Sequence, residues 1–344
     1  MSEMSTDRMR VAQVGVGGFG RHRRKTLRDS GLFDLVAAYD WNEAALELCR
    51  VEEGAASVES YEELLRVPGI EAVVISTGAK FHAEQVIQAA NRGLHVFVEK
   101  PLGSTPEEVQ ALLEAQARTG VVIGVGHNDH QHDAISLTIQ GLIDRGEMGA
   151  ITCFEKTTAH SGGLHIKPGD WRGDPEKNPG GMLFQCGCHA IHELLFHFGP
   201  ITHVSAMMRY DVHTTATADA AICHLRFASG LIGVLNAYHV TPYRHHLALF
   251  GTKANLYRDD RYFAEGTKLA LQRGRLDGGY ESQEPVVIEG QSDIYGNIRS
   301  FYQAIRQGGQ PYPSLFDGAR AVAAVFAAEE SARTGRVVEV PLIG

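Results

Sequence analysis

Three glycines spaced as Gly15-x-Gly17-x-x-Gly20 close the short apolar run Arg10–Val16, and no other feature of the 344 residues constrains the fold as much. A run of that length reads as a buried strand, and Gly20–Arg28 after it reads as a helix. At a strand-to-helix turn the first glycine permits a tight bend and the second lets backbone approach a pyrophosphate. The third lets the helix pack on the strand. Gly18 and Phe19 complete this candidate phosphate turn, and the N–H groups of the helix start favour an anion. Asp40 follows about 20 residues later, at the end of the next strand-like run, where a carboxylate accepts hydrogen bonds from the adenosine ribose. The same carboxylate repels a 2′-phosphate, so the reading favours NAD over NADP. Trp41 either covers the adenine or packs locally. The basic run Arg21-His22-Arg23-Arg24-Lys25 keeps NADP open, although its commoner meaning is a solvated helix face.

Strand-like runs at Leu35–Tyr39, Ala72–Ser76, His95–Val98 and Val121–Val125 alternate with helix-like stretches at Glu43–Glu52, His82–Asn91 and Thr105–Arg118. The last helix start is well specified: Thr105 as N-cap, Pro106 at the first helical position and a capping-box acid after it. Alternation of this kind predicts βαβ units and a parallel sheet covered on both faces. The pattern changes near His127. A helix (Ala134–Arg145), a strand (Ile151–Thr158), a long Gly-, Pro-, Asp- and His-rich loop and a helix (Gln185–Phe198) come next. Strand-like runs then follow at His203–Tyr210, Ala220–Phe227, Leu231–Tyr238 and His246–Phe250. Ser229-Gly230 is a hairpin signal between two of them, which suggests an antiparallel sheet. An Ala-rich helix at Gly318–Arg333 and an extended Val337–Pro341 end the chain. The expectation is two domains, 8–126 and 127–344, with helix 317–333 packing back on the first.

Composition excludes function classes without naming one. Lys plus Arg number 32 against 41 Asp plus Glu, a net charge of -9, which argues against nucleic acid or anionic membrane as partner. No apolar stretch reaches the ~18 residues of a membrane span, and the polar Met1–Arg10 is no signal peptide. Five scattered cysteines suit reduced thiols in the cytoplasm. The unusual count is 17 histidines, eight of them between His127 and His197.

At Glu99-Lys100-Pro101, after the run His95–Val98, the sequence resembles the glucose–fructose oxidoreductase, inositol dehydrogenase and MocA (Gfo/Idh/MocA) family. Supporting pieces run along almost the whole chain: Gly15–Gly20, Ser76-Thr77 with His82, Trp171-Arg172, Gly180-Gly181-x-Leu183, Gly187-x-His189 and Asp317-Gly318-Ala319-Arg320. The resemblance implies an α/β chain, with a Rossmann domain joined to an α+β domain. The large, open, mostly antiparallel sheet of the latter makes homodimer or homotetramer contacts. It also implies hydride transfer between NAD(P) and a hydroxyl carbon of a sugar, cyclitol or glycoside. Ser76, Thr77, His82, Glu99, Lys100, Trp171 and Arg172 join the candidate cofactor residues.

Independent chemistry supports two of these positions. Oxidising an alcohol needs a base, and the imidazole of His189 titrates near neutrality. Lys100 can donate to the substrate oxygen as alkoxide charge develops. The family pattern is departed from at Gln185, where relatives carry Asp four residues before the histidine. Gln185 can hydrogen-bond a hydroxyl or orient the ring, but it brings no charge. His192 replaces an acid, Gly78-Ala79 replaces Pro-Asn, and Asp129 stands where arginine is common, which points to a neutral polyol over an anionic substrate.

Cys186-x-Cys188-His189-x-x-His192 matches zinc patterns only loosely, and the two cysteines are expected to pack as small hydrophobes. His127, His160 and His165 are candidate polyol contacts, because imidazole both donates and accepts. No metal is assigned. Two further possibilities stay open: redox-assisted glycoside cleavage or sugar–sugar oxidoreduction on a tightly bound cofactor, and a non-catalytic nucleotide- or sugar-binding protein.

Overall fold

The computed structural model describes residues 8–213, 215–261, 266–275 and 277–343, which form two compact units. The first runs through Asp129 and takes back Ile294–Gly318; the second comprises His130–Asp293 and the chain from Ala319 onward.

In the first unit the elements alternate as the sequence pattern predicts: β1 (Met9–Val14), α1 (Gly18–Ser30), β2 (Phe33–Tyr39), α2 (Glu43–Glu53), β3 (Ala56–Ser57), α3 (Tyr61–Leu64), β4 (Ala72–Ile75), α4 (Ala79–Ala90), β5 (His95–Val98), α5 (Pro106–Thr119) and β6 (Ile123–Val125). The six strands lie in the order β3-β2-β1-β4-β5-β6, all parallel. The order reverses beside β1, so the strand ends on either side of it diverge and leave a crevice. At α5 the Thr105 hydroxyl accepts from the Glu108 N–H at 3.2 Å, while the Glu108 carboxylate reaches back to the Ser104 N–H at 2.6 Å.

The expected division at residue 127 needs one correction. Helix α8 (Gly296–Gln307, numbered after the helices of the second unit) belongs to the first unit. Its Ile298, Phe301 and Tyr302 enter a core with Met9, Val11, Phe33, Val74 and Phe97. Their i, i+3, i+4 spacing is the signal of an amphipathic helix. Apolar burial against the sheet overrides proximity in sequence.

The second unit contains α6 (Ala134–Asp144), β7 (Ile151–Ala159), α7 (Cys188–Phe198), β8 (Ile201–Arg209), β9 (Ala220–Phe227), β10 (Ile232–Tyr238), β11 (Arg244–Gly251), β12 (Ala254–Arg261), β13 (Gly266–Arg273), β14 (Glu284–Pro285) and β15 (Val338–Glu339). Helix α9 (Leu315–Thr334) begins in the first unit and ends in the second. Nine strands form one sheet, β14-β13-β12-β11-β7-β10-β9-β8-β15, antiparallel except for the central β7–β10 pair. One face is covered by α7, whose Phe198 ring lies 6.1 Å from Phe154 and 5.7 Å from Phe227. Strands β12 to β14 lie in a stretch where the sequence pattern showed no strand signal. No helix among the described residues is long and apolar enough to cross a membrane.

Candidate active site

The glycine turn joins β1 to α1. Gly15 has φ +77°, and a Cβ there would sit 2.7 Å from the Ser76 backbone, so only glycine lets the turn press against the end of β4. A Cβ on Gly20 would run into the Gly15 carbonyl oxygen. Gln13, which sequence reasoning passed over, ties this turn together: its buried Nε2 donates to the Gly15 and Gly20 carbonyls, each at 3.0 Å. A glutamine between the apolar Ala12 and Val14 of the strand was the available signal.

Asp40 does more than the ribose role expected of it. Oδ2 accepts from the Val16 N–H at 2.8 Å and the Gly17 N–H at 3.2 Å, and Oδ1 accepts from the Asn42 N–H at 2.9 Å. A carboxylate has about four lone-pair sites, so one remains on Oδ1. Helix α1 starts on Gly17 with no side-chain cap, and nothing lies within 4 Å of where a Gly18 Cβ would stand. Its first-turn N–H groups are therefore available to an anion. Trp41 and Phe19 are exposed. Ser76 Oγ is buried with no hydrogen-bond partner among the described residues, and the Thr77 hydroxyl donates to Gln85 Oε1 at 2.6 Å. An open helix N-terminus, a cradle a Cβ would fill and an orphaned hydroxyl together fit a dinucleotide.

The basic run on α1 is no solvated face throughout. Arg21, His22 and Lys25 are exposed, but Arg23 and Arg24 are buried. Arg24 pairs with Glu52 at 2.6 Å and Glu53 at 3.0 Å, and Arg23 with Glu99 at 2.6 Å. Carboxylates on α2 and after β5 draw these two cations inward. Glu99 and His82, both expected at the cofactor, are buried and bonded to protein, whereas Lys100 is half-buried. His127 is buried as well, and its carbonyl accepts from Asn297 Nδ2 at 3.1 Å.

In the second unit the long loop is ordered by short 3₁₀ turns, Ser161–His165 and Trp171–Gly173. The Arg172 guanidinium lies 4.7 Å from the Trp171 ring centre, and both side chains are exposed. The Arg172 carbonyl accepts from Asn178 Nδ2 at 2.7 Å and Thr217 Oγ1 at 2.9 Å, which pins the loop beneath them. His165 is exposed. His160 Nδ1 accepts from the Gly162 N–H at 2.9 Å, so its neutral ring carries the proton on Nε2. That nitrogen faces Cys186 Sγ at 3.4 Å, and burial pushes the ring below its ordinary pKa. The expectation of core packing thus holds for the buried Cys188 but not for the half-exposed Cys186.

Gln185 lies in a π-helical turn, Leu183–Gly187, that runs into α7 in place of the uniform α-helix expected. Such turns recur at functional sites. Within residues 181–190 the half-exposed positions are Gln185, Cys186 and His189, while the rest are buried. The buried His192 ring lies 5.2 Å from that of His130, tilted by 41°. Glu193 receives Lys156 Nζ at 2.5 Å and Arg258 Nη1 at 2.7 Å. Burial works to raise the Glu193 carboxyl, but Lys156 and Arg258 outweigh it and hold the group well below the usual carboxylate range. Among the described residues no group of three His, Cys, Asp or Glu side chains is arranged to hold a metal ion.

Comparison with known proteins places the chain in a family. The family model described as "Oxidoreductase family, NAD-binding Rossmann fold" matches residues 9–127, and "GFO/IDH/MocA C-terminal domain" matches 136–257. The chain belongs to the Gfo/Idh/MocA family. As a member it is an NAD(P)-dependent oxidoreductase with a Rossmann domain and a mixed, mostly antiparallel second sheet. It is 27% identical over 345 residues to scyllo-inositol 2-dehydrogenase (NAD(+)) of Bacillus subtilis, covering 96% of each chain. It is 26% identical to levoglucosan dehydrogenase of Pseudarthrobacter phenanthrenivorans over 88% of each. A solved levoglucosan dehydrogenase in complex with NADH shares the fold at TM-score 0.85 and 21% identity, with 98% of this chain and 100% of that one aligned.

Proposed function

We propose that this Gfo/Idh/MocA member is a cytoplasmic dehydrogenase of a sugar, cyclitol or glycoside hydroxyl that uses NAD in preference to NADP. The observation that carries the reading is that Gln185 and His189 are, with Cys186, the half-exposed positions of a segment whose other residues are buried. A polar pair kept accessible where its neighbours are packed is what a substrate-handling position requires. When bound, the nicotinamide supplies the acceptor for the substrate's hydride. The role proposed for His189 is that of base for the hydroxyl proton, and that for the Lys100 ammonium is donation to oxygen as negative charge grows on it. Gln185 offers an amide to a neighbouring hydroxyl. Unlike an aspartate, it places no carboxylate charge four residues before His189. Trp171 and Arg172 act beside the cofactor. Of the histidines proposed as polyol contacts, the accessible His160 and His165 are better supported than the buried His127.

The assembly proposed is a homodimer or homotetramer built on the uncovered sheet face. Met207, 80% exposed, pairs across β8–β9 with Ile222, and Ile232 lies on the same face. Light scattering on purified protein tests it, and a monomer overturns it. For the activity, inositols, aldoses and anhydrosugars are incubated with NAD or NADP and nicotinamide absorbance is followed. Turnover faster with NAD and abolished in His189→Ala is expected; no turnover with cofactor bound rejects the dehydrogenase.

A further inference from the structure

Lys100 has its immediate neighbours held from behind by two different helices. On one side, Glu99 is 5% exposed and its Oε1 accepts from Arg23 Nε at 2.6 Å, with Arg23 itself 4% exposed. The Arg23 guanidinium also lies 4.7 Å from the centre of the Phe97 ring, two residues before Glu99. The carboxylate is wedged against Gly126, where a Cβ would overlap it. On the other side, His82 of α4 is 1% exposed and its Nδ1 stands 2.8 Å from the Pro101 carbonyl oxygen. Its Nε2 stands 3.0 Å from the carbonyl of Thr77. A neutral ring donates to one of these carbonyls and an imidazolium to both.

We propose that Arg23 and His82 are positioning residues for Lys100, fixing the backbone on either side of it through Glu99 and Pro101. The consequence reaches further than one side chain. Arg23 lies on α1, the helix that starts at the glycine turn, and His82 also holds the Ser76-Thr77 segment by its carbonyl. Two buried side chains thereby cross-link three segments: the glycine turn through its helix, Ser76-Thr77, and Glu99-Lys100-Pro101. Polar groups so buried are costly unless paired, and a charge pair here sets position even where an apolar pair would pack as well.

The role in turnover rests on the dehydrogenase reading, so the test has one arm that needs no turnover. Arg23→Met, Arg23→Lys, His82→Phe and the double variant Arg23→Met/Glu99→Gln are compared with wild type. The readouts are kcat, KM, NAD affinity by calorimetry, melting temperature and the pH dependence of reductive methylation at Lys100, with Lys167 as internal reference. Arg23→Met should lower kcat by about tenfold or more, as a displaced reacting group does, with a smaller change in KM. Arg23→Lys should recover part of the loss. The Lys100 methylation profile should move while that of Lys167 stays. The double variant removes the stranded charge, so it should regain melting temperature without regaining kcat. Recovery of kcat together with stability in the double variant, or an unmoved Lys100 profile in folded Arg23→Met and His82→Phe, overturns the proposal. If wild type turns over no sugar or polyol, the dehydrogenase reading fails, and the methylation arm still decides whether Lys100 is braced.

Discussion

The two residues proposed to carry the chemistry stand on different foundations. Behind Lys100 is one buried ion pair, Arg23–Glu99, and a histidine whose two nitrogens both face carbonyls. Behind His189 is a branched network, in which Glu193 meets both Lys156 and Arg258, and Arg258 also pairs with Asp260 at 3.0 Å. Buried histidines flank that network. Burial pushes His130 and His197 down to about 4, although Glu193 pulls each of them up. A single pair fixes a short backbone segment. A network of charges fixes a helix against a sheet, while burial holds His82 of the first unit below its ordinary pKa as it does His130 and His197.

The largest effect separates the catalytic positions from their supports. Lys100→Ala and His189→Ala should each lower kcat by about a hundredfold or more, measured as initial rates on the best polyol, with melting temperature close to wild type. If either variant retains full turnover, its assignment to the chemistry falls.

Next comes the network itself. Lys156→Met leaves Glu193 buried with one cation fewer, and breaking a buried pair typically costs about 3–5 kcal/mol. Denaturant unfolding should show that loss in the second unit. A loss below that of an exposed pair, about 1 kcal/mol or less, would mean the network contributes little to holding α7.

Acid should then report on the buried rings of the second unit. In the unfolded chain His130 and His197 take up protons as pH falls through about 6.5, but in the folded chain they do so only near about 4. Between those values the unfolded state binds more protons. Stability therefore falls as pH falls, by about 1.4 kcal/mol per pH unit for each group. Unfolding midpoints across that window, in wild type and in His197→Phe, measure it. A flat wild-type profile contradicts the neutral burial of these rings.

Two smaller effects test local readings in the first unit. Asp40→Ala removes acceptors for Val16 and Gly17 as well as the site offered to the ribose. It should weaken NAD binding by about tenfold, the size of one lost charged hydrogen bond, and narrow the gap to NADP in calorimetry. Thr105→Ala should cost about 1 kcal/mol, the usual value of an N-cap, with kcat unchanged.

The difference between the units also explains what could be read in advance. In the first, strand, turn and helix signals are local: Gly15–Gly20, the Thr105 cap and the apolar runs each act within a few residues. Most of their elements were accordingly legible, with α1 extended from Gly20–Arg28 to Gly18–Ser30 and the short β3 and α3 unread. The site positions Lys100, His189 and Gln185 came from motif and resemblance, and their half-exposure agrees with a role at the surface. What escaped were side chains whose meaning depends on a distant partner. Arg23 looks like any basic helix residue until Glu99, 76 residues later, is beside it. Lys156 on β7 looks like a solvent-facing strand position until Glu193 arrives from α7. Helix α8 was missed for a different reason, since its apolar spacing was present at Ile298, Phe301 and Tyr302 but lay far from the domain it completes.

By itself the sequence determined the dinucleotide-binding half and the change of architecture near residue 127, because glycine geometry, capping and hydrophobic period are short-range properties; the class of chemistry came through the family resemblance. Tertiary structure alone decided which of the charged and imidazole side chains are buried, and with whom. The physical reason is that a buried charge is tolerable only beside its counter-charge. That partner is chosen by the fold, not by distance along the chain.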